Sequence, residues 1–551
     1  MCCPINGFVL KKWPLTFNNK VDKKALSSQY EENTGTVSKN YADLEGIEKV
    51  WQEILCLSHV NDHQSFYECG GDSLALMKLG YKVSDYFNVE LAPSDLFGEL
   101  NLGTLKKIIA NGGKQKINTD NDFGVSIEAT VAQRNLFIQN KLNPKIPFPH
   151  SYLTFQVNGN LDLQCLEDAL GEVIDTHEGL RTRFQMEKGK VFLKTVIKEN
   201  CPIIEVSCET DDLNSELHKL SKSFDYSKVP LIRLTFIRLS NNKKYLHFEM
   251  PHIISDGESL KIIVQQVIRV YGGYKLSVQK QFRTFLKLAE IYRGSNQYKL
   301  DEEFWIMQLK KFDGFQRESI KAKSEDRFRG THVVLNLKSS LAESVINFSE
   351  ANKISKYKIF TLSLAILINR VYGESSVAIM SPVSNRFERS MADVVGLLSN
   401  VIPLFFNINP DQNIKCWIKD SFLHIDRSLK HQKYPFENII KAWTSSDNKL
   451  DSLMKFFLGY HIHDEKYLLE KTELILHQPV RYYEDMPLSL AITDTGERFI
   501  LRVSSNRHSL SSDQLNNVAQ EYLSILGLIT GRDLDLNLKM FDLISSDISL
   551  V

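Results

Sequence analysis

The eleven residues His247–Gly257, HFEMPHIISDG, predict a strand that turns into a helix at a histidine. Apolar and polar side chains alternate before Pro251, which is typical of a strand. Proline has no N–H to donate, so the strand is expected to end beside it. An apolar pattern at helical spacing follows. His252 would therefore lie at the strand-to-helix corner, where a side chain can face a cleft.

The same stretch contains an H-x-x-x-D-G element made of His252, Asp256 and Gly257. Imidazole titrates near neutral pH, so a histidine in a cleft can position an acceptor amine or take its proton. A histidine that packs against an aspartate can also be a purely structural pair. The element alone leaves both interpretations open.

A second signature lies upstream, in the residues Gly70-Gly71-Asp72-Ser73-Leu74. The two glycines free the backbone for a turn, and aspartate and serine are favoured where a helix begins. On the residues alone, Ser73 is either a helix cap or an attachment point for another group.

The composition predicts several globular domains without a strong charge preference. The 551 residues include 67 Lys+Arg and 67 Asp+Glu, so we expect no global attraction to nucleic acid or to an anionic membrane. The eight cysteines form no C-x-x-C pair, which favours a reduced, cytoplasmic protein. No secretory signal is evident, and the apolar stretch 359–368 is too short to span a bilayer. His461 and His463 lack further ligands in the sequence and are interpreted as ordinary residues beside a strand, so no metal site is expected.

Periodicity and composition divide the chain into a helical part and a longer part of mixed helices and strands. The predicted segments are 1–26, an N-terminal stub; 27–40, a linker; 41–111, a small helical bundle; 112–123, a second linker; and 124–295 and 296–551, two lobes of a mixed α/β region.

Asp62–Leu74, DHQSFYECGGDSL, resembles the signature of peptidyl carrier domains from non-ribosomal peptide synthetases. The resemblance implies that Ser73 carries a covalent 4'-phosphopantetheine arm, added by a phosphopantetheinyl transferase, whose thiol holds the acyl group. A helix N-terminus favours the attached phosphate. Residues 1–26 resemble the C-terminal end of an adenylation domain without its ATP-binding body. Loading by an upstream or trans-acting adenylation domain is therefore implied.

Residues 124–551 resemble the condensation domains of the same synthetases, with the motifs in family order. The motifs are AQR at 132–134 with LF at 136–137, HEGLRTRF at 177–184, PHIISDG at 251–257, SPVSNR at 381–386, VGLLSN at 395–400 and HQKYPFE at 431–437. The resemblance implies a multidomain fold: a small α-helical carrier bundle, then an α/β (α+β) condensation domain with two chloramphenicol-acetyltransferase-like lobes. The active site is expected in a tunnel between the lobes.

The resemblance also implies roles for individual residues. His252 matches the catalytic histidine, and the Gly257 amide would help to polarise the thioester carbonyl. Asp256 and Arg386 would form a structural salt bridge. Pro251 stands where the family has a first, mainly structural, histidine.

The implied activity is that of an acyltransferase-type enzyme that forms a peptide bond. A donor aminoacyl or peptidyl thioester on the carrier would react with an amine that is free or bound to another carrier. Two alternatives stay open: epimerisation of the carrier-bound residue, and a non-catalytic docking or scaffold didomain disabled by Pro251. The GGDS form of the carrier motif favours epimerisation, whereas the P-F-E motif at 435–437 opposes it. An alcohol acceptor also stays open.

Overall fold

The computed structural model describes residues 45–55, 57, 60–63, 66, 79, 82–83, 87, 89–90, 100–110, 114–115, 127–146, 149–197, 201–277, 280–315, 330–386, 391–446, 448, 450–469, 471–478, 484, 486–506 and 509–531. By its internal contacts the chain divides into two compact units. The smaller unit comprises residues 1–118 with 466–474, and the larger comprises 119–465 with 475–551. The stub 1–26, the linker 27–40 and Ser73 lie outside the described residues.

The smaller unit contains two helices that the periodicity predicts, α1 (Glu45–Leu55) and α2 (Leu102–Ala110). Their apolar faces meet in a common core, in which the Trp51 and Phe66 rings pack edge to face with centroids 5.0 Å apart. Such burial of large aromatic rings stabilises a small bundle. Of the helix predicted after Ser73, only three residues are described.

Two of these three residues, Leu79 and Val83, are fully buried in that core. Part of the predicted second linker is ordered, because β1 (Val89–Glu90) pairs in antiparallel fashion with β2 (Lys114–Gln115). Composition predicts a linker there because it contains no information about a partner strand more than twenty residues away.

The larger unit alternates helices with strands. Its helices, as far as they are described, are α3 (Val131–Leu142), α4 (Leu163–Thr176), α5 (Leu213–Leu220), α6 (Gly257–Tyr271), α7 (Phe282–Arg293), α8 (Asn296–Leu309), α9 (Ser339–Asn352), α10 (Lys356–Tyr372), α11 (Ile414–Lys430), α12 (Phe436–Thr444) and α13 (Ser512–Thr530). Single turns of 3-10 helix lie at Glu178–Arg181, His252–Ile254 and Leu450–Ser452.

The strands that follow β2 are β3 (Ile127–Glu128), β4 (His150–Asn158), β5 (Thr182–Glu187), β6 (Lys190–Thr195), β7 (Ile204–Ser207), β8 (Arg233–Arg238), β9 (Lys244–Pro251), β10 (Gly330–Asn336), β11 (Ser376–Val383), β12 (Asn400–Asn407), β13 (Phe456–Ile462), β14 (Lys466–Leu469), β15 (Thr472–His477), β16 (Leu488–Asp494) and β17 (Phe499–Asn506). Alternation and helical spacing in the sequence predict helices at 130–141, 163–177 and 340–352 and strands at 151–157, 231–239, 244–250 and 499–504, and each is confirmed to within two residues at either end.

Two large mixed sheets organise the larger unit. The first contains the order β15-β4-β9-β8-β7, and the second has the order β10-β17-β16-β13-β11-β12. A small antiparallel sheet has the order β3-β6-β5. In the first sheet, β9 lies between β4 and β8 and is antiparallel to both. The end of β9 is therefore held from two sides at the place where the chain turns toward α6.

Helix α10 is the most completely buried helix of the second sheet's core. All ten residues from 359 to 368 are buried, as expected for a helix that is apolar on every face. The prediction of a buried helix in this stretch is confirmed. Within the described part of the chain, no helix has both the length and the apolar character of a membrane span.

Candidate active site

The site is built on the corner between β9 and α6. The strand runs one residue further than expected and ends at Pro251, which is followed by the 3-10 turn. The His252 amide donates to the Pro149 carbonyl at 3.1 Å, and the Ser255 hydroxyl donates to the Pro251 carbonyl at 2.9 Å. The corner is therefore tied both to the neighbouring strand and to itself.

The imidazole of His252 has two oxygen neighbours at its Nδ1. Its Nδ1 lies 3.1 Å from the Ser255 carbonyl oxygen and 3.3 Å from Oγ of Ser151. A carbonyl oxygen only accepts hydrogen bonds, so Nδ1 carries the proton and the lone pair of the neutral ring lies on Nε2. In this tautomer the ring can accept a proton at Nε2.

The carboxylate of Asp256 is completely surrounded by donors. Arg386 donates to it twice, at 2.8 and 2.9 Å, in the fork geometry of a strong ion pair. The amide and hydroxyl of Ser259 donate at 2.9 and 2.8 Å. The Leu398 and Ser399 amides donate at 3.1 and 3.0 Å. The structure thus brings together the predicted Asp256–Arg386 pair and leaves the carboxylate no lone pair for proton transfer.

Electrostatics agree with this geometry. Burial by itself would raise the pKa of Asp256, but the Arg386 guanidinium and the hydrogen bonds from Arg386 and Ser259 hold the pKa below its ordinary value. The side chains of Asp256 and Arg386 are 3% and 5% exposed. Asp256 is therefore a permanent anion at the first turn of α6, where its carboxylate also accepts the Ser259 amide as an N-cap.

The cluster of Asp256, Ser259 and Arg386 also binds the loop 394–399, which precedes β12. Oγ of Ser259 also lies 2.8 Å from the Gly396 carbonyl oxygen, which shares the hydroxyl proton with Asp256, and it accepts from the Gly396 amide at 3.1 Å. A side chain at Gly396 would place its Cβ 2.2 Å from the Phe282 ring, so only glycine fits. The loop is consequently fixed against both α6 and α7.

A large cavity shares this loop as a wall. It has a volume of about 740 Å³ and is lined by the start of α3, by α7, by residues 397–400 and by the segment 433–438. Leu398 and Ser399 line it while their amides bind Asp256. The volume falls in the usual range for small-molecule sites.

A second buried carboxylate, Glu249, lies near the end of β9, three residues before His252, and was missed by the sequence analysis. It accepts from His150 Nδ1 at 2.8 Å and from Ser221 Oγ at 3.0 Å, and it is paired with Arg233. Burial would raise its pKa, but the hydrogen bond and charge of His150, with the charges of His247 and Arg233, hold the pKa at about 2. The available signal was weak, because the partners come from separate stretches of the chain.

Pro251 fits the corner without distorting it. Its φ of −75° lies in the range that the proline ring imposes, and its missing N–H is of no consequence at the last position of the strand. Its partner in the antiparallel register is His150. An imidazole therefore lies on the neighbouring strand directly opposite the proline.

Gly257 begins α6, immediately after its N-cap. Amides in the first turn of a helix have no partner within the helix, and the helix dipole makes this end positive. The corner thus brings Pro251, His252, Asp256 and Gly257 together with Arg386. Ser73 lies outside the described residues.

Two segments of the chain match known protein families. Residues 126–546 match the condensation domain family, and residues 45–109 match the phosphopantetheine attachment site family.

The chain is similar to large synthases. It is 23% identical to tyrocidine synthase 3 of Brevibacillus parabrevis over 97% of this chain and 8% of that protein. It is 22% identical to surfactin synthase subunit 1 of Bacillus subtilis (strain 168) over 94% of this chain and 15% of that protein. The chain therefore spans less than a sixth of the length of these two relatives.

Solved structures agree with the family matches on the fold. The first condensation domain of the calcium-dependent antibiotic synthetase, in complex with a substrate analogue, superposes with a TM-score of 0.66 at 15% identity, covering 76% of this chain and 99% of that one. A four-domain non-ribosomal peptide synthetase bound to AMP and glycine gives 0.66 at 18% identity, over 78% and 35%. The predicted chloramphenicol-acetyltransferase-like fold is confirmed. By these matches, the chain belongs to the condensation domain family and carries a phosphopantetheine attachment domain in the same polypeptide.

Proposed function

We propose that this chain is the part of a non-ribosomal peptide synthetase that holds a donor acyl thioester and joins it to an acceptor amine. The observation that carries the proposal is the corner itself: an imidazole whose Nδ1 is held by the Ser255 carbonyl, directly before the buried Asp256–Arg386 pair at the start of α6, on a condensation-family fold. A thioester is already activated, so orientation of the two reactants supplies much of the rate.

His252 is the proposed catalytic residue. The Ser255 carbonyl fixes the proton on Nδ1, so Nε2 has the lone pair that receives a proton from the attacking amine. The nitrogen of the amine bonds to the thioester carbon, the C–S bond breaks, and the thiol leaves with a proton. Gly257 is proposed to donate its amide to the carbonyl oxygen, which becomes negative as the amine attacks.

Asp256, Arg386 and Pro251 are proposed as structural residues of the site. Asp256 and Arg386 fix the first turn of α6, and through it the Gly257 amide. Pro251 keeps the path of the backbone at the corner, and its carbonyl anchors Ser255. These contacts favour an active site over a scaffold that Pro251 has disabled.

Ser73 is the proposed attachment point for 4'-phosphopantetheine, within the match to the attachment family. The arm supplies a thiol that carries the acyl group as a thioester. Because Ser73 is not among the described residues, the proposal rests on the GGDSL sequence and the family match.

The proposed partners follow from this chemistry. They are a phosphopantetheinyl transferase, an upstream or trans-acting adenylation domain, and an acceptor amine that is free or bound to another carrier domain. The cytoplasm is the proposed location. The domain boundaries predicted from the sequence, including the adenylation-like stub 1–26 and the lobe boundary at 295/296, stay proposals.

Intact-protein mass spectrometry tests the function. A phosphopantetheinyl transferase transfers the aminoacyl-phosphopantetheine arm of an aminoacyl coenzyme A onto the Ser73 hydroxyl of the full apo chain, with release of the adenosine bisphosphate, and amino acid thioesters are then added as acceptors. We expect the wild type to form the amide and Ser73→Ala to stay unloaded. His252→Ala should load normally but condense at least roughly 100-fold more slowly than the wild type.

The matched control is His218→Ala, which removes an exposed histidine from α5. It should condense like the wild type. Inversion of the loaded residue without amide formation would instead establish epimerisation. A wild type and a His252→Ala variant that load equally and are equally inert would establish the scaffold.

A further inference from the structure

The ring of His461 occupies a space that exists only because residue 459 is a glycine, and it faces a second glycine at the start of α6. A Cβ at Gly459, two residues earlier on β13, would lie 2.9 Å from Nε2 of His461. A Cβ at Gly257, at the start of α6, would lie 3.5 Å from its Nδ1. The first distance is too short for any real contact, so Gly459 is required for this position of the ring. The second distance is that of an ordinary van der Waals contact, so the imidazole faces Gly257, the residue whose amide is proposed to bind the thioester carbonyl, across a space that could hold a methyl group.

His461 and Gly257 face each other at one end of a longer row of facing residues, called the seam below, between β13 and α6. Gly257, Lys261 and Gln265 are four residues apart and share one face of α6. Gln265 donates to Asp464 at 3.2 Å. The seam has two sides. On α6 it consists of Gly257, Lys261 and Gln265, and opposite them lie His461, near the end of β13, and His463 and Asp464, directly after it.

His463, in the middle of the seam, packs as an uncharged side chain and does not form an ion pair. Burial, with the charge of Lys261, lowers the pKa of His463 to about 4, although Asp464 acts in the opposite direction. The ring of His463 stacks on that of His461 with centroids 6.2 Å apart and planes 23° apart. Two stacked rings make a firm spacer between the strand and the helix.

We propose that His461 is a positioning residue of the active site, which sets the location of Gly257 and so aims its amide at the reacting carbonyl. The inference rests on the proposed function and extends it to a residue of the second sheet. Strand β13 lies inside that sheet, between β16 and β11, so its end is a rigid reference point. An error of about 1 Å in the position of a catalytic group can reduce a rate roughly 100-fold.

The two glycines allow a sharp test with the full-length holo protein. His461→Ala removes the spacer, and Gly459→Ala leaves the imidazole in the chain but forces it away from its site. We expect each to lower the single-turnover condensation rate at saturating acceptor about 10- to 100-fold, with little change in the acceptor concentration for half-maximal rate. In the His461→Ala background, Gly459→Ala should have no further effect, because the ring it displaces is gone.

Gly171→Ala is the matched control, since a Cβ at this position of α4 meets nothing within 4 Å. It should leave the rate unchanged. A rate for His461→Ala equal to that of the wild type, or fully additive effects of Gly459→Ala and His461→Ala, would overturn the proposal.

A second measurement is independent of activity. In deuterated protein labelled with 15N-glycine, the amide signal of Gly257 is assigned by its loss in Gly257→Ala. We expect this signal to move in His461→Ala and Gly459→Ala and to stay in place in Gly171→Ala. An unmoved signal refutes the positional role of His461, whereas a wild type that forms no amide refutes the proposed function.

Discussion

Two buried carboxylates, Glu249 and Asp256, flank His252 in the sequence, and each is paired with an arginine, but they join different parts of the molecule. Asp256 accepts from Arg386, Leu398 and Ser399, which lie 130 to 143 residues further along the chain. Glu249 is bonded to partners of the first sheet and its neighbouring segment, among them His150 and Arg233. The first carboxylate joins α6 to the loop before β12, and the second joins neighbouring strands of one sheet.

The two arginines differ in burial, and this difference determines how much stability the protein is expected to lose when each ion pair is broken. The Arg386 side chain is 5% exposed, whereas the Arg233 side chain is 19% exposed. An arginine that loses its partner in the interior cannot recover hydration, and one near the surface can. The two sites therefore provide a graded comparison within one corner.

Asp256→Asn should have the largest effect. It leaves the Arg386 charge buried without its counter-ion, which we expect to lower the free energy of unfolding of the larger unit by about 3 to 5 kcal/mol. Urea denaturation followed by tryptophan fluorescence measures this. A loss below that of Glu249→Gln would show that the loop contacts of Asp256 contribute little.

Acidification should produce the next largest effect, through His247. Burial lowers the pKa of this histidine to about 4 from its ordinary value of 6.5. Between these values the unfolded chain binds a proton that the folded chain does not, so stability falls as the pH falls from 6.5 to 4. From pH 7 to pH 4, the wild type should lose roughly 3 kcal/mol more than His247→Gln. Urea denaturation of both proteins at each pH measures this, and the difference between their free energies of unfolding should shrink as the pH falls toward 4.

Glu249→Gln should be milder than Asp256→Asn. It removes the charge that faces Arg233 and His150, with an expected loss of about 1 to 3 kcal/mol in the free energy of unfolding. The same urea titration measures it. A loss equal to that of Asp256→Asn would mean that the exposure of the arginine does not decide the cost.

Ser151→Ala should have the smallest effect. Its hydroxyl is 3.3 Å from Nδ1 of His252, a long hydrogen bond beside the shorter one to Ser255. We expect less than about 1 kcal/mol of destabilisation and a condensation rate within a few-fold of the wild type. The dependence of the rate on pH should keep its shape, and a displaced profile would assign Ser151 a share in tuning His252.

The comparison also explains which parts of the site can be predicted from sequence. Asp256 and Arg386 belong to motifs, so their pairing follows from a family resemblance. The contact of His150 with Glu249 depends on the register of β4 against β9, and no local pattern specifies which of several registers the two strands adopt. His461 lies at a strand end, as interpreted from sequence, but its contact with Gly257 depends on how the second sheet packs against α6.

Secondary structure was predictable for a simpler reason. Alternation in β4 and β9 and the helical spacing in α4 and α9 are local properties of the chain. The pairing of Val89–Glu90 with Lys114–Gln115 was missed, because two-residue strands are too short to show alternation.

The wall of the large cavity has a consequence for redesign of the protein. Leu398 and Ser399 face the cavity while their backbone amides are bound to Asp256, and Gly396 in the same loop admits no side chain. Insertions or deletions in this loop would disturb the corner along with the cavity. A library that aims to reshape the cavity should therefore vary the side chains of α7 and of residues 433–438, and keep the length of the loop 394–399 constant.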